Sequence, residues 1–169
     1  MKRFILLAVM LFCAWGVQAQ IVSSTSRLRV KQTQWYAGGG IIVPTKDSVE
    51  PGLMAEVGFR RFINEKPFFW GGEFGLSGFS LKSYYDDNSF CFVPFAMGKA
   101  GYQIELKSIL IVPQIGLGIQ YDLGYYDDIS DIVKVDLGVE YGHFGGFAGF
   151  MVMGAPHVSF LTLGVIYKF

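Results

Sequence analysis

Residues 113–125 read PQIGLGIQYDLGY, and taken two at a time they separate into two faces. Pro113, Ile115, Leu117, Ile119, Tyr121, Leu123 and Tyr125 form a wholly apolar set. Gln114, Gly116, Gly118, Gln120, Asp122 and Gly124 form a wholly polar or glycine set. A period of two is the period of a β-strand, whose successive side chains point to opposite faces. Residues 132–141 repeat it, with Val133, Val135, Leu137, Val139 and Tyr141 opposite Lys134, Asp136, Gly138 and Glu140. The alternation is weaker in 52–62 and 68–82, and segments 34–43, 90–103, 144–153 and 158–169 bring the expected strands to eight. Turn-like stretches separate them, and no stretch beyond the first twenty residues has a helical period. The chain is therefore expected to be all-β.

The first twenty residues, MKRFILLAVMLFCAWGVQAQ, place two cations before an apolar stretch and a small residue, Ala19, before Gln20. That is the pattern of a secretory signal peptide, too short to span a bilayer comfortably as a helix. Residues 1–19 are read as the leader, 20–32 as a short polar extension and 33–169 as one domain. With the leader removed, Cys91 is the only cysteine, so no intrachain disulfide is expected. Zero net charge argues against a nucleic-acid partner. The composition is 51% hydrophobic and 17% aromatic with 22 glycines, yet no later apolar run reaches the roughly 18 residues a membrane helix needs.

Alternation alone does not say which face looks inward; the aromatics do. If the first strand runs outward from the periplasm, apolar-face residues at the periplasmic strand ends include Trp35, Phe59, Phe68, Trp70, Tyr102, Tyr141, Tyr167 and Phe169. They form a ring at one level, as an interfacial girdle does, whereas a soluble sandwich has no reason to gather its aromatics at one end. The expected fold is an eight-stranded, antiparallel, up-and-down transmembrane β-barrel. Its inward ions are Glu56, Arg60, Glu73, Lys99, Asp122, Lys134, Asp136, Glu140 and Lys168, five acids and four bases. Their near-balance predicts a paired ionic ladder in a lumen that eight strands leave just wide enough to fill with side chains. A gated conduit for ions or small solutes along that ladder is the alternative.

The last eight residues are Thr162-Leu163-Gly164-Val165-Ile166-Tyr167-Lys168-Phe169. This segment resembles the assembly signal of bacterial outer-membrane β-barrels, in which a polar residue, a glycine and spaced aromatics end in Phe; Thr162, Gly164, Tyr167 and Phe169 carry the pattern. The stretch VPFAMGK, 93–99, is similar to a strand common in small porin-family outer-membrane barrels. The resemblance implies residence in the outer membrane, contact with its lipid and lipopolysaccharide, and recognition by the barrel-assembly machinery during insertion.

Little in the chain points to catalysis. His157 and Ser159 are similar to the His-x-Ser pair of lipid A deacylases, but no Asp or Glu follows Glu140 to complete a triad, so no enzyme is expected. His143 reads as a turn residue and Cys91 as a packing residue. No motif calls for a cofactor or a metal. YYDD occurs at 84–87 and again at 125–128, ending two outward-running strands. Asp86, Asp87, Asp127, Asp128 and Asp131 would stand near enough at one rim to share calcium, although their spacing fits no calcium loop. A 25 Å apolar band consumes about 11 residues of tilted strand, which places Tyr84 and Tyr125 above the lipid. These loop tips are expected to face an external partner or lipopolysaccharide head groups, and the expected role is structural, surface-contact or adhesive.

Overall fold

Every regular element among the described residues is a β-strand. The computed structural model describes residues 33–63, 66–82, 89–123, 128–154 and 158–169. The strands are β1 (Thr33–Pro44), β2 (Gly52–Phe62), β3 (Phe68–Leu81), β4 (Ser89–Tyr102), β5 (Ile104–Leu106), β6 (Ile109–Tyr121), β7 (Ile129–Tyr141), β8 (Phe144–Met153) and β9 (Val158–Lys168). β4 and β5 are one stave broken at Gln103, since both pair with β6, and so nine strands make eight staves. Each neighbours the next antiparallel, β1 pairs with β9, and β4 pairs with β6, which closes the sheet.

The closure can be followed residue by residue. From Gln34 the pairings lead to Arg60, Gly71, Lys99, Gly116, Lys134, Met151 and Phe160, and return to β1 at Pro44. The circuit thus comes back ten residues further along β1. Eight staves with that stagger tilt by roughly 40° and enclose a lumen that side chains fill.

The fifth expected strand, 113–125, starts earlier than its alternation suggests, at Ile109, and ends at Tyr121; the sixth starts at Ile129 rather than 132. The cause is local. Ile109, Leu110, Ile111 and Val112 are apolar on both parities, which hides the period, and they fold back on β5 through a turn in which Lys107 adopts a left-handed φ of 58°. At 142–143 the turn is made by Gly142, also at φ 58°, and His143.

β1 is joined to β2, β3 to β4, β6 to β7 and β8 to β9 at one end of the barrel. β2 is joined to β3, β5 to β6 and β7 to β8 at the other, where Thr33 and Phe169 also lie. We call these the loop end and the turn end. The outward face is apolar on every stave, with Leu53, Phe74, Leu117, Ile119, Val139 and Val165 each exposed. A soluble protein does not present such a surface all the way round, whereas a lipid bilayer requires it.

Candidate functional site

The polar and charged groups converge inside the barrel. On β7, Lys134, Asp136 and Glu140 share the inward parity, and all three are buried. Across the lumen β2 presents Glu56 and Arg60. β2 and β7 are four staves apart in a ring of eight, so the pairs Lys134–Glu56 and Arg60–Glu140 each span the full diameter. Lys134 also reaches Glu73 at 3.0 Å and Asp136 at 3.3 Å, Lys99 pairs with Glu73 and lies 3.8 Å from Asp136, and Lys168 reaches Glu140 at 2.8 Å.

Neutral groups join these pairs into one lattice. Gln114 donates to Asp136 at 3.4 Å and accepts from Arg60 at 3.4 Å. Tyr36 donates its hydroxyl to Glu73 at 2.7 Å, and Thr162 donates to Asp136 at 3.4 Å. The Arg60 guanidinium lies 4.9 Å from the Tyr36 ring centre, and the Lys134 ammonium 4.9 Å from that of Phe147. Four acids meet four bases, so the lattice is neutral. Each carboxylate touches a cation, as burial away from water demands.

Of the nine ions read as inward-facing, eight sit in this lattice. The ninth, Asp122, is also buried but lies at the loop end, one residue past β6, which neighbours the strand of the buried Cys91. That accounts for the fifth acid. Tyr36, Gln114 and Thr162 were not read as members of the ladder from the sequence. Tyr36 has the inward parity of β1 and Gln114 that of β6, so the signal was present. Neither carries a formal charge to draw notice.

The ionic lattice fills only part of the interior. Toward the loop end an apolar plug takes over: Ile42, Met54, Phe79, Cys91, Val93, Phe95, Ile132, Met151, Met153, Val158 and Phe160 pack as one cluster. Phe79 and Phe160 face each other with ring centres 4.9 Å apart. Toward the turn end Phe62, Phe69, Val112 and Leu110 form a second, smaller cap. Inward glycines make room for these large groups. A Cβ at Gly58 would strike the Tyr36 ring, one at Gly101 the Phe69 ring and one at Gly164 the Phe147 ring.

At the turn end the aromatic residues read as a girdle lie on the outward face in two stacks. Trp35, Phe59 and Trp70 follow one another at 5.3 and 6.0 Å between ring centres. Tyr167 touches Phe144, Phe169 and His143 at 5.2, 5.4 and 5.9 Å. Phe68 pairs with Tyr102, and Tyr141 is exposed beside Phe144. His143 donates from Nδ1 to the Lys168 carbonyl at 2.9 Å, because a carbonyl only accepts, and its own carbonyl accepts the Lys168 amide at 2.7 Å. The turn histidine thereby clips the last strand.

Tyr84, Asp86, Asp87, Tyr125, Asp127 and His157 lie outside the described residues. Asp128 is exposed, with Oδ1 accepting the Ile129 amide at 2.8 Å, and Asp131 is exposed on the outward face of β7. Ser159 lies at the loop end of β9, where its carbonyl accepts from Thr45. Among the described residues no three His, Cys, Asp or Glu side chains gather as metal ligands would.

The barrel is similar to solved structures that share little of its sequence. Ail, the attachment invasion locus protein of Yersinia pestis, superposes with a TM-score of 0.52 at 10% identity, covering 83% of this chain and 100% of that one. Neisserial surface protein A gives 0.51 at 13% identity, over 81% and 96% of the two chains. A de novo designed transmembrane β-barrel gives 0.50 at 10% identity, over 83% and 98%. No protein-family model matches the chain, and no curated protein matches it by sequence. The fold is that of the small eight-stranded membrane barrels.

Proposed function

We propose that this chain is an integral outer-membrane barrel that works at its loop end, in a structural, surface-contact or adhesive role. One observation carries the reading. The interior is taken up at three levels, by apolar plug, ionic lattice and apolar cap, so activity is left to the surface. The apolar outer face suits lipid as its surroundings, and the two-residue turns at 107–108 and 142–143 suit a periplasmic side. Two similar structures are called a surface protein and an attachment invasion locus protein, which agrees with a contact role. On this reading residues 1–19 are a cleaved leader, the assembly machinery recognises the last strand, and the acidic, tyrosine-bearing loops meet lipopolysaccharide or an external partner.

Four exposed lysines test the orientation: Lys46 and Lys82 at the loop end, Lys66 and Lys107 at the turn end. A membrane-impermeant amine reagent applied to intact cells is expected to modify the first two and spare the last two. Modification of Lys66 and Lys107 with Lys46 and Lys82 spared would reverse the barrel and remove the loops from the exterior. Planar-bilayer recordings are expected to be silent, and steady unitary currents would replace the contact reading with the conduit.

A further inference from the structure

The outward apolar surface is not a band of even height. On β1 it runs from Trp35 to Val43, on β7 from Val133 to Tyr141, on β8 from Phe144 to Val152 and on β9 from Leu161 to Phe169. Each run is eight residue steps, and at about 2.4 Å of climb per residue of tilted strand each is about 20 Å tall. Polar residues end three of them at the loop end, Thr45 beyond β1, Asp131 on β7 and Ser159 on β9, and Gly154 follows the run on β8. The stave made of β4 and β5 behaves differently. Its outward residues are apolar or glycine from Phe90 to Leu106, about 38 Å, and those of β6 continue from Ile109 to Leu123, about 34 Å.

The surplus lies at both ends. Tyr102 pairs with Phe68 in the girdle, so Ile104 and Leu106 hang below it, while Phe90 and Leu123 stand above the opposite rim, all exposed except the half-buried Ile104. Tilting a barrel raises one side at both ends together; it cannot lengthen one side at both. The tall staves, β4 with β5 and β6, lie diametrically across from β9 and β1. An apolar band in a barrel of this kind is about 25 Å, which the short side misses by about 5 Å and the tall side exceeds.

We propose that the barrel deforms the bilayer unevenly, thinning the lipid along the β8, β9 and β1 seam and holding thicker lipid against β4, β5 and β6. The occupant of both faces is acyl chain. The inference rests on the membrane reading above, and its consequence is a site on the seam that favours short-chain lipid.

The test places single nitroxide labels on a Cys91→Ala background in dimyristoylphosphatidylcholine vesicles. Leu123 and Thr45 stand within about 3 Å of the same height on opposite sides, by the stagger and climb of the staves. Labels at Leu123 and Leu106 are expected to be reached by oxygen, as in lipid, and the label at Thr45 by a water-soluble nickel chelate. Labels at Leu117 and Val165, in mid-belt on the two sides, serve as references. If Leu123 and Leu106 respond to nickel as Thr45 does, or if Thr45 responds to oxygen as Leu123 does, the uneven belt is wrong. Shielding of Leu123 and Leu106 from both agents means protein covers the tall side, which also overturns it. Nickel access at Leu117 and Val165 would instead sink the membrane reading itself. A second variant, Ser159→Leu, raises the short side by one outward position. It is expected to shift fastest insertion toward longer acyl chains in a lauroyl, myristoyl, palmitoyl series; an unchanged optimum counts against the proposal.

Discussion

Replacing Lys134 by methionine keeps the length of the side chain and removes one charge from the centre of the lattice. Lys134 is fully buried and holds Glu56, Glu73 and Asp136 at once. Without it Lys99 alone faces the last two, and Glu56 has no cation among the pairs described. A neutral set of four acids and four bases becomes a set with one uncompensated negative charge away from water. Removing one partner of a buried pair costs about 3–5 kcal/mol, and since these groups have almost no exposure there is no solvent screening to reduce it. Adding Glu56→Gln to the same chain restores neutrality and should recover about 2 kcal/mol, because the stranded charge is the main penalty. The assay is urea unfolding of the protein in lipid vesicles, followed by emission from the lipid-facing Trp35 and Trp70. A loss below about 1 kcal/mol for Lys134→Met, or a double variant weaker than the single one, would refute the claim that charge balance governs this interior.

Two further outcomes follow from the packing. Gly58→Ala places a methyl group against the Tyr36 ring and the Gly72 carbonyl, and should cost about 1–3 kcal/mol by overpacking, read as a lower temperature for loss of the compact gel band. Cys91 has no exposed surface, so in the protein prepared without residues 1–19 an aromatic disulfide reagent is expected to leave it unmodified in the folded barrel and to react with one thiol per chain on unfolding.

The fold was legible because parity in a half-buried strand is written residue by residue: 113–121 and 132–141 give the outward and inward faces of β6 and β7 directly. The ions were legible for the same reason, since a charge on an apolar-alternating strand has one face to occupy. The apolar plug was not. Cys91, Val93, Phe95 and Met97 point inward on β4 while Phe90 and Phe92 point outward, so both faces are apolar and the period carries no signal. Nor could the diametric pairing of β2 with β7 be read, because it depends on the order of the staves and their stagger, which are properties of closure. Asp122 shows the limit well. Its parity is that of the ladder, but its place one residue past the end of β6 puts it at the loop end, away from the other eight ions.

The ten-residue return of the pairing circuit from Gln34 to Pro44 also constrains how such a chain can change through descent. Inside and outside alternate along every stave, so the circuit must come back on an even number or the two faces would exchange at the seam. A lineage can therefore move from ten to eight or twelve, but not to nine. A single codon gained or lost within a stave exchanges the two faces beyond it unless a bulge absorbs it, while the connections at either end accept any number. Length variation among descendants should accordingly fall in the connections, and any within a stave should come in twos or as a bulge.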